Sequence, residues 1–205
     1  MKLAVIGATG MVGSQVTAEA LTRGHEVDAF SRSGRSMGDV QTQPLSLSDT
    51  QAVVEVIDGH DATLVSVANR DDYEAVVAAH RDLIAAAPHG RFVVVGGAGA
   101  LESGGQRLLD SPDFPAEYLP ESKAFAGILD DYRAATNLDW TMVAPSPDIA
   151  PGARTGSYAT ALDTPAGGFV STQDFAVAIV DELEEPAHRG TRFTVASTDE
   201  DAARG

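Results

Sequence analysis

The chain opens with a short apolar strand that runs directly into a glycine-rich turn and then a helix. The strand is predicted over Lys2–Ile6, the turn carries Gly7, Gly10 and Gly13, and the helix is predicted over Met11–Arg23. In this arrangement the first glycine lets the backbone turn sharply, the second leaves room for a pyrophosphate beside the main chain, and the third lets the helix pack closely on a sheet. The order of strand, glycine turn and helix therefore predicts an α/β fold with a dinucleotide site.

The amides at the start of this helix, from about Gly10 to Val12, are expected to face phosphates with the positive end of the helix dipole. A tight turn without any ligand is the alternative, but the strand before it and the amphipathic helix after it are the context that the binding motif requires. The turn residues expected to contact a cofactor are Gly7, Thr9, Gly10, Met11 and Val12.

Strand and helix patterns alternate along the rest of the chain. Further strands are predicted over His25–Phe30, Val40–Leu45, Asp61–Val67, Arg91–Val95, Trp140–Ala144 and Arg192–Ala196. Further helices are predicted after the cap Ser48 and over Asp71–Ala87, Glu121–Thr136 and Thr172–Glu184, with a polar tail that is expected to fray. This alternation predicts a doubly wound parallel sheet of the Rossmann type in a single domain over 1–205. Two long loops, at about 96–120 and 145–170, follow strands and are expected to form a substrate pocket at the carboxyl edge.

Composition excludes several classes of protein. The chain has 205 residues, is 43% hydrophobic and lacks both an apolar run long enough to cross a membrane and the pattern of a secretory signal. It has no cysteine, and its five histidines are scattered, so no metal site is expected. A net charge of −16 disfavours nucleic-acid binding. We therefore expect a cytoplasmic protein, a monomer or homodimer, whose partner is a small molecule.

The end of the second strand carries a signal for cofactor selectivity. In NAD-preferring sites an acidic side chain at this place accepts from the adenosine ribose, but here Asp28 falls three residues too early. Arg32 and Arg35 could instead form a fork on a 2′-phosphate, with a hydroxyl of Ser31 or Ser33 as a further donor. The alternative is that both arginines are solvated loop charges. The pattern predicts that NADP(H) is preferred over NAD(H).

Several motifs along the whole chain resemble one known group of proteins. They are Gly7-Ala8-Thr9-Gly10, Ser31-Arg32, Val94–Glu102, Asp113–Tyr118, Leu138–Thr141, Pro151–Tyr158 and Asp174–Glu185. The chain is similar to small atypical short-chain dehydrogenase/reductase proteins of the NAD(P)H-binding, NmrA-like type. Within this group it most resembles the NADH-flavin reductase-like and flavin (biliverdin-IXβ) reductase-like proteins. The resemblance implies a Rossmann fold with NAD(P)H along the carboxyl edge of the sheet. It also implies that Val67, Ala68 and Asn69 pass near the nicotinamide, with Gly96 and Pro145 at the neighbouring strand ends.

The chain departs from the standard pattern of this superfamily at the positions that carry proton transfer. Standard enzymes have a Tyr-x-x-x-Lys pair on one helix face, whereas Tyr118 and Lys123 are five residues apart with Pro120 between them. The serine that usually ends the fifth strand is replaced by the run Gly96–Gly99, and Asp148 aligns where reductase relatives have a histidine. The candidate catalytic residues are therefore Tyr118, Lys123 and Asp148.

A flavin needs little proton relay, because its N5 atom accepts a hydride directly and the proton can come from water. The sequence thus favours an NADPH-dependent reductase of a flavin, a quinone or a similar conjugated acceptor, with the flavin as substrate and not as bound cofactor. A non-catalytic NADP(H)-sensing regulator is the alternative, and in it the substrate slot could be filled by Phe114, Tyr118 or Tyr158. A sugar-nucleotide epimerase or dehydratase is a third possibility, although 205 residues leave little room for its substrate domain.

Overall fold

The computed structural model describes residues 1–205, the whole chain. Its strands are β1 (Lys2–Ile6), β2 (Glu26–Ser31), β3 (Thr42–Pro44), β4 (Ala62–Val65), β5 (Phe92–Val95), β6 (Glu102–Ser103), β7 (Gln106–Arg107), β8 (Trp140–Pro145), β9 (Asp148–Ala150), β10 (Tyr158–Ala161), β11 (Phe169–Ser171) and β12 (Arg192–Ser197). Its helices are α1 (Met11–Thr22), α2 (Thr50–Asp58), α3 (Tyr73–Ala86), α4 (Leu119–Ala134), α5 (Thr172–Glu184) and α6 (Glu200–Arg204). None of the helices is both long and apolar enough to cross a membrane.

Eight of the strands form one central sheet in the order β10-β12-β8-β5-β4-β1-β2-β3. All neighbouring pairs are parallel except β10 with β12, which is antiparallel. The sheet reverses its direction of growth between β1 and β4, so the carboxyl ends of these two strands form the crevice where such sheets bind ligands. The doubly wound α/β fold predicted from the sequence is confirmed, with one antiparallel edge strand in addition.

Helices cover both faces of the sheet and produce two separate cores. Along each central strand, successive residues point to opposite faces, so that Ile6, Val65 and Val94 belong to the core beneath α2, α3 and α4. Their neighbours Val5 and Leu64 belong to the core beneath α1 and α5. Because both faces are buried, the central strands are almost entirely apolar, as expected of a parallel sheet.

Three local predictions were wrong. The second helix is preceded by Asp49, while the hydroxyl of Ser48 contacts that of Ser46 at 2.8 Å. Asp and Ser are both frequent at such positions, so composition alone does not separate them. The last polar residues do not fray but form α6, whose N-cap Asp199 accepts from the amide of Ala202 at 3.0 Å. Ala203 is buried and holds this short helix to the domain. Both segments predicted as long loops contain short strands, β6 and β7 in the first and β9 and β10 in the second.

The middle part of each long loop packs against helices. In the loop after β5, Arg107 pairs with Asp130 of α4 at 2.5 Å. In the loop after β8, Arg154 makes two hydrogen bonds to Glu19 of α1, at 2.7 and 2.8 Å. Each long loop is thus attached to a helix through its middle part. The contribution of residues 96–120 and 145–170 to a substrate pocket stays a prediction.

Candidate cofactor site at the carboxyl edge of the sheet

The glycine turn after β1 is built by close backbone contacts. Gly7 has a φ of +92°, and a Cβ atom at this position would lie 2.0 Å from the carbonyl oxygen of Ser66. A Cβ atom at Gly13 would lie 2.2 Å from the carbonyl oxygen of Gly7. Both distances are far below any real contact, so only glycine allows β1, the loop after β4 and α1 to meet here. The two glycines have the mechanical roles that the sequence predicted.

The amide groups of this turn divide into committed and free donors. Those of Gly7 and Ala8 both donate to the carbonyl of Phe30 at 2.9 Å, and that of Gly10 donates to Gly7 at 3.0 Å. The amides without a protein acceptor are those of Thr9, Met11, Val12 and Gly13. The expected row of phosphate-facing amides therefore omits Gly10, which contributes space beside the main chain. Free amides at a helix N-terminus are the donor set that a pyrophosphate requires, so this chain's residues fit the cofactor.

The residues predicted to pass near the nicotinamide lie at the ends of adjacent strands. Val67 follows β4, and its Cγ2 atom approaches the glycine turn at Gly7. Asn69 lies further along the same loop, beyond the exposed Ala68, and its side-chain oxygen accepts from the amide of Asp71 at 3.4 Å. Gly96 directly follows β5 and donates its amide to the carbonyl of Val143 at 2.8 Å, while the buried Pro145 ends β8. Because β4, β5 and β8 are neighbours, these positions form a continuous row along the carboxyl edge.

The turn after β2 is held by side-chain hydroxyl groups. Thr42 of β3 donates its hydroxyl hydrogen to the carbonyl of Arg35 at 2.9 Å. Its oxygen also lies 3.0 Å from that of Ser31. Since a threonine hydroxyl has only one hydrogen, Ser31 is the donor in this second bond. The hydrogen of Ser31 is thus used inside the protein, and Ser33, which is exposed, carries the hydroxyl that remains available to a ligand.

The basic side chains of this turn differ from the others in the chain. Of the 14 Lys and Arg residues, eleven place a nitrogen within 4.0 Å of a carboxylate oxygen. The three that do not are Arg32, Arg35 and Lys123. Asp28, by contrast, lies in the middle of β2, where it pairs with Lys2 at 3.2 Å. The end of β2 therefore offers unneutralised positive charge and no acidic group to a cofactor.

The three candidate catalytic residues do not form a cluster. Tyr118 precedes α4 and is 57% exposed, and no hydrogen bond joins it to Lys123 on the exposed side of the same helix. Asp148 lies in β9, where its carboxylate pairs with Arg204 of α6 at 3.0 Å. The structure therefore provides no tyrosine–lysine pair.

Tyr158, one of the three aromatic side chains that could fill a substrate slot, is directed toward α5. Its hydroxyl donates to Asp181 of α5 at 2.5 Å, and burial raises its pKa. It lines a groove of about 460 Å³ between α5 and the edge of the sheet, together with Glu182 and His188. This groove runs along the side of β12 and β10, and its Glu182 is already bound to Arg91 at 2.7 Å. We therefore place the candidate site at the carboxyl edge and not in this groove.

Sequence reasoning missed two contributors to this edge. Thr42 shapes the turn after β2, but its contact with Ser31 depends on a strand register that no local pattern shows. Arg204 binds Asp148 and also lies 3.9 Å from the ring of Phe169, so the C-terminal helix fixes the beginning of the loop after β8. Because the C-terminal residues are mostly polar, the sequence predicted a frayed tail and not a helix that contacts Asp148.

Comparison with known proteins agrees with this geometry. The family model described as NAD(P)H-binding matches residues 7–186. The uncharacterised protein YwnB of Bacillus subtilis (strain 168) is 36% identical, over 96% of this chain and 99% of its own. A Streptococcus pneumoniae TIGR4 protein, provisionally named an NADH-flavin reductase, is 34% identical over 97% of this chain and 100% of its own, with a TM-score of 0.85. A protein of Bacteroides thetaiotaomicron, provisionally named an epimerase, is 32% identical over 96% of both chains, with a TM-score of 0.82. The family match spans the glycine turn, the end of β2 and both long loops, so the chain belongs to the NAD(P)H-binding family of Rossmann-fold proteins.

Proposed function

We propose that this protein is an NADPH-preferring oxidoreductase that reduces a flavin, a quinone or a similar flat conjugated molecule. The observation that carries the cofactor preference is the pair Arg32 and Arg35, which lie directly after β2 and have no acidic partner. The Streptococcus pneumoniae relative supports the reductase class through its name, which specifies NADH and a flavin. The preference for NADPH is our inference from the two arginines.

The chain's own residues account for binding and orientation. The free amides of Thr9, Met11, Val12 and Gly13 would hold the pyrophosphate. Arg32, Arg35 and Ser33 would hold the 2′-phosphate, since a planar guanidinium donates two parallel hydrogen bonds to such a group. The loop carrying Val67, Ala68 and Asn69 and the strand ends Gly96 and Pro145 would surround the nicotinamide. When bound, the reduced nicotinamide supplies the hydride equivalent that an acceptor takes up.

At the acceptor side, the protein would mainly orient a flat molecule and exclude water. Tyr118 is the candidate for a stacking contact, because its ring is exposed at the start of α4 and no protein group engages its hydroxyl. Lys123 and Asp148 are candidates for electrostatic contact with the acceptor. None of the three has a neighbour that would activate it as an acid, so we propose that the proton comes from water.

The test is oxidation of NADPH and NADH, followed at about 340 nm, with FMN, riboflavin and a simple quinone as acceptors. We expect turnover with NADPH at a kcat/KM well above that with NADH. Arg32→Ala should raise KM for NADPH by about 10- to 100-fold, the equivalent of one charge-assisted hydrogen bond, and leave KM for NADH nearly unchanged. Arg81→Ala is the matched control, because this exposed arginine of α3 pairs with Asp131 away from the ligand edge.

Two other results would favour the other classes. Tight NADPH binding without turnover of any acceptor would contradict the reductase and support a regulator whose conformation responds to NADP(H). Epimerase activity is the less supported reading, since the chain lacks the Tyr-x-x-x-Lys pair, although the Bacteroides thetaiotaomicron relative is provisionally named for it. Equal use of NADPH and NADH would contradict the role that we assign to Arg32 and Arg35.

A further inference from the structure

We propose that Thr42 is a positioning residue that sets the preference for NADPH by fixing the turn that carries Arg32 and Arg35. This inference rests on the proposed NADPH preference. The side chain of Thr42 is buried, and its hydroxyl contacts Ser31 and Arg35 of the turn. It would act through the backbone of the turn.

The strand β3 lies directly beside this turn. β3 is the edge strand and runs parallel to β2, with Ala29 opposite Thr42 and Ser31 opposite Pro44. The amide of Leu45 donates to the carbonyl of Ser31 at 3.0 Å, which continues the ladder to the last residue of β2. The turn therefore leaves the sheet at a point that β3 defines.

The hydroxyl of Thr42 bridges the two ends of the turn. Thr42 accepts from Ser31, at the start of the turn, and donates to the carbonyl of Arg35, four residues later. A single side chain thus connects both ends of the segment that contains Arg32 and Ser33. The bond to Ser31 is buried and the bond to Arg35 is partly buried, so water competes less with them than with exposed hydrogen bonds.

The turn also packs against Pro44 of β3. Gly34 has a φ of +63°, and a Cβ atom there would lie between 3.1 and 3.3 Å from atoms of Pro44. The turn therefore rests directly on β3, and its left-handed residue is one that glycine adopts without strain. Together with Thr42, this contact restricts the backbone between Ser31 and Arg35.

The consequence concerns two arginines that have no other anchor. Arg32 and Arg35 form no ion pair and no side-chain hydrogen bond within the protein, so the backbone alone sets where their guanidinium groups begin. If the bridge is removed, the turn samples more conformations, and binding a 2′-phosphate must then restrict them. Affinity should fall for ligands with a 2′-phosphate and stay the same for ligands without one.

The experiment compares two probes that differ at this group, adenosine 2′,5′-bisphosphate and adenosine 5′-monophosphate, by calorimetric titration. Thr42→Val keeps the branched shape and removes both hydrogen bonds. We expect it to raise Kd for the bisphosphate about 3- to 10-fold and to change Kd for the monophosphate less than about twofold, in line with the loss of an ordering contact. Thr42→Ser retains the hydroxyl and should restore the bisphosphate affinity.

Gln43→Val is the control on the same strand, because the Gln43 side chain is exposed and forms no hydrogen bond. A thermal melt of each variant separates a local effect from unfolding. An unchanged affinity ratio in Thr42→Val, an equal loss for both probes, or a failure of Thr42→Ser to restore the ratio would each overturn the role of Thr42. Equal binding of the two probes by the unaltered protein would overturn the NADPH preference as well, so the two failures are distinguishable.

Discussion

At the amino ends of the strands, Arg91 lies 2.7 Å from Glu182 and both side chains are buried, whereas at the carboxyl ends Arg32 and Arg35 are exposed and near no carboxylate. The same difference holds for backbone groups. At the amino edge, Asp58 accepts the amides of His89 and Gly90, both at 2.8 Å. At the carboxyl edge, four amides of the glycine turn have no protein acceptor.

The comparison shows that the protein neutralises its basic groups at the amino edge with its own carboxylates, whereas at the carboxyl edge Arg32 and Arg35 remain available to an anionic ligand. With 30 acidic and 14 basic residues, carboxylates are plentiful, so an arginine without one is unusual in this chain. A buried arginine must be paired because an isolated buried charge is very unfavourable. An exposed arginine at a ligand edge tolerates the absence of a partner, and it is then free to bind a phosphate.

The largest effect should come from breaking the buried pair at the amino edge. Glu182→Ala leaves Arg91 buried with only the more distant carboxylate of Asp139, at 3.6 Å, and burial already lowers the pKa of Arg91 to about 10. We expect a loss of about 3–5 kcal/mol in the free energy of unfolding, measured by urea denaturation. The control is Glu185→Ala, an exposed residue one turn away, which should change it by less than about 0.5 kcal/mol. A loss below about 1 kcal/mol for Glu182→Ala would contradict the contrast between the two edges.

A second prediction concerns the acid limb of stability. Hydrogen bonds from Arg154 and then Arg23 lower the pKa of Glu19 to about 2, although burial works in the opposite direction. A carboxyl whose pKa is depressed on folding stabilises the protein above its ordinary pKa near 4.5, and this contribution is lost as the pH falls toward 2.

Glu19→Gln should therefore lower the free energy of unfolding by on the order of 2 kcal/mol at pH 7, a value reduced because Arg154 is half exposed. The gap between the variant and the unaltered protein should narrow as the pH falls below about 4.5 in a series of urea titrations. Glu26→Gln, at an exposed residue with no ion pair, should show no such narrowing. A gap that stays constant down to pH 3 would show that the Glu19 charge contributes nothing.

The sequence predicted the parallel fold because period and turn signals are local. The glycine turn, the buried strands and their helices follow from residues close together in the chain, and the spatial placement of Arg32 after β2 follows from them. Prediction from the sequence was wrong where the structure depends on the register between segments that are distant in the chain. β10 pairs with β12 across more than thirty residues, and its sequence Tyr158–Ala161 has no strong strand signal of its own.

The candidate site follows the same division. The free amides of α1 were predictable to within one residue, because a strand-to-helix turn has one common geometry. The commitment of the Ser31 hydroxyl was not, since it depends on the single hydrogen of Thr42, eleven residues later on another strand. Asp148 was predicted as a catalytic residue only because it aligns with a histidine of reductase relatives. Its ion pair with Arg204 could not be predicted, because the C-terminal tail was expected to fray.

A third prediction uses salt to separate the two edges. Exposed charges interact through water that contains ions, so raising the salt concentration from about 0.05 to about 0.5 M should weaken binding at Arg32 and Arg35. We expect the ratio of Kd for NADH to Kd for NADPH to fall about five- to tenfold, measured by fluorescence titration. Arg32→Ala should show a flatter response. If the ratio is independent of salt in the unaltered protein, exposed cations do not determine the preference.

The smallest effect is expected from the substitution of Tyr118. Its size tests whether the unpaired groups of the carboxyl edge take part in catalysis or only in binding. A tyrosine that donates a proton in the rate-limiting step contributes about 10²–10⁴-fold, and Tyr118→Phe would remove that whole contribution. Tyr118 has no hydrogen bond to Lys123, so we expect Tyr118→Phe to change kcat with FMN by less than about threefold. Tyr118→Ala, which also removes the ring, should raise KM for FMN by about tenfold at similar kcat, in keeping with the loss of one stacking contact. A drop of a hundredfold in kcat for Tyr118→Phe would instead make this hydroxyl the proton donor. The carboxyl edge would then supply a catalytic group as well as unpaired charges for the ligand.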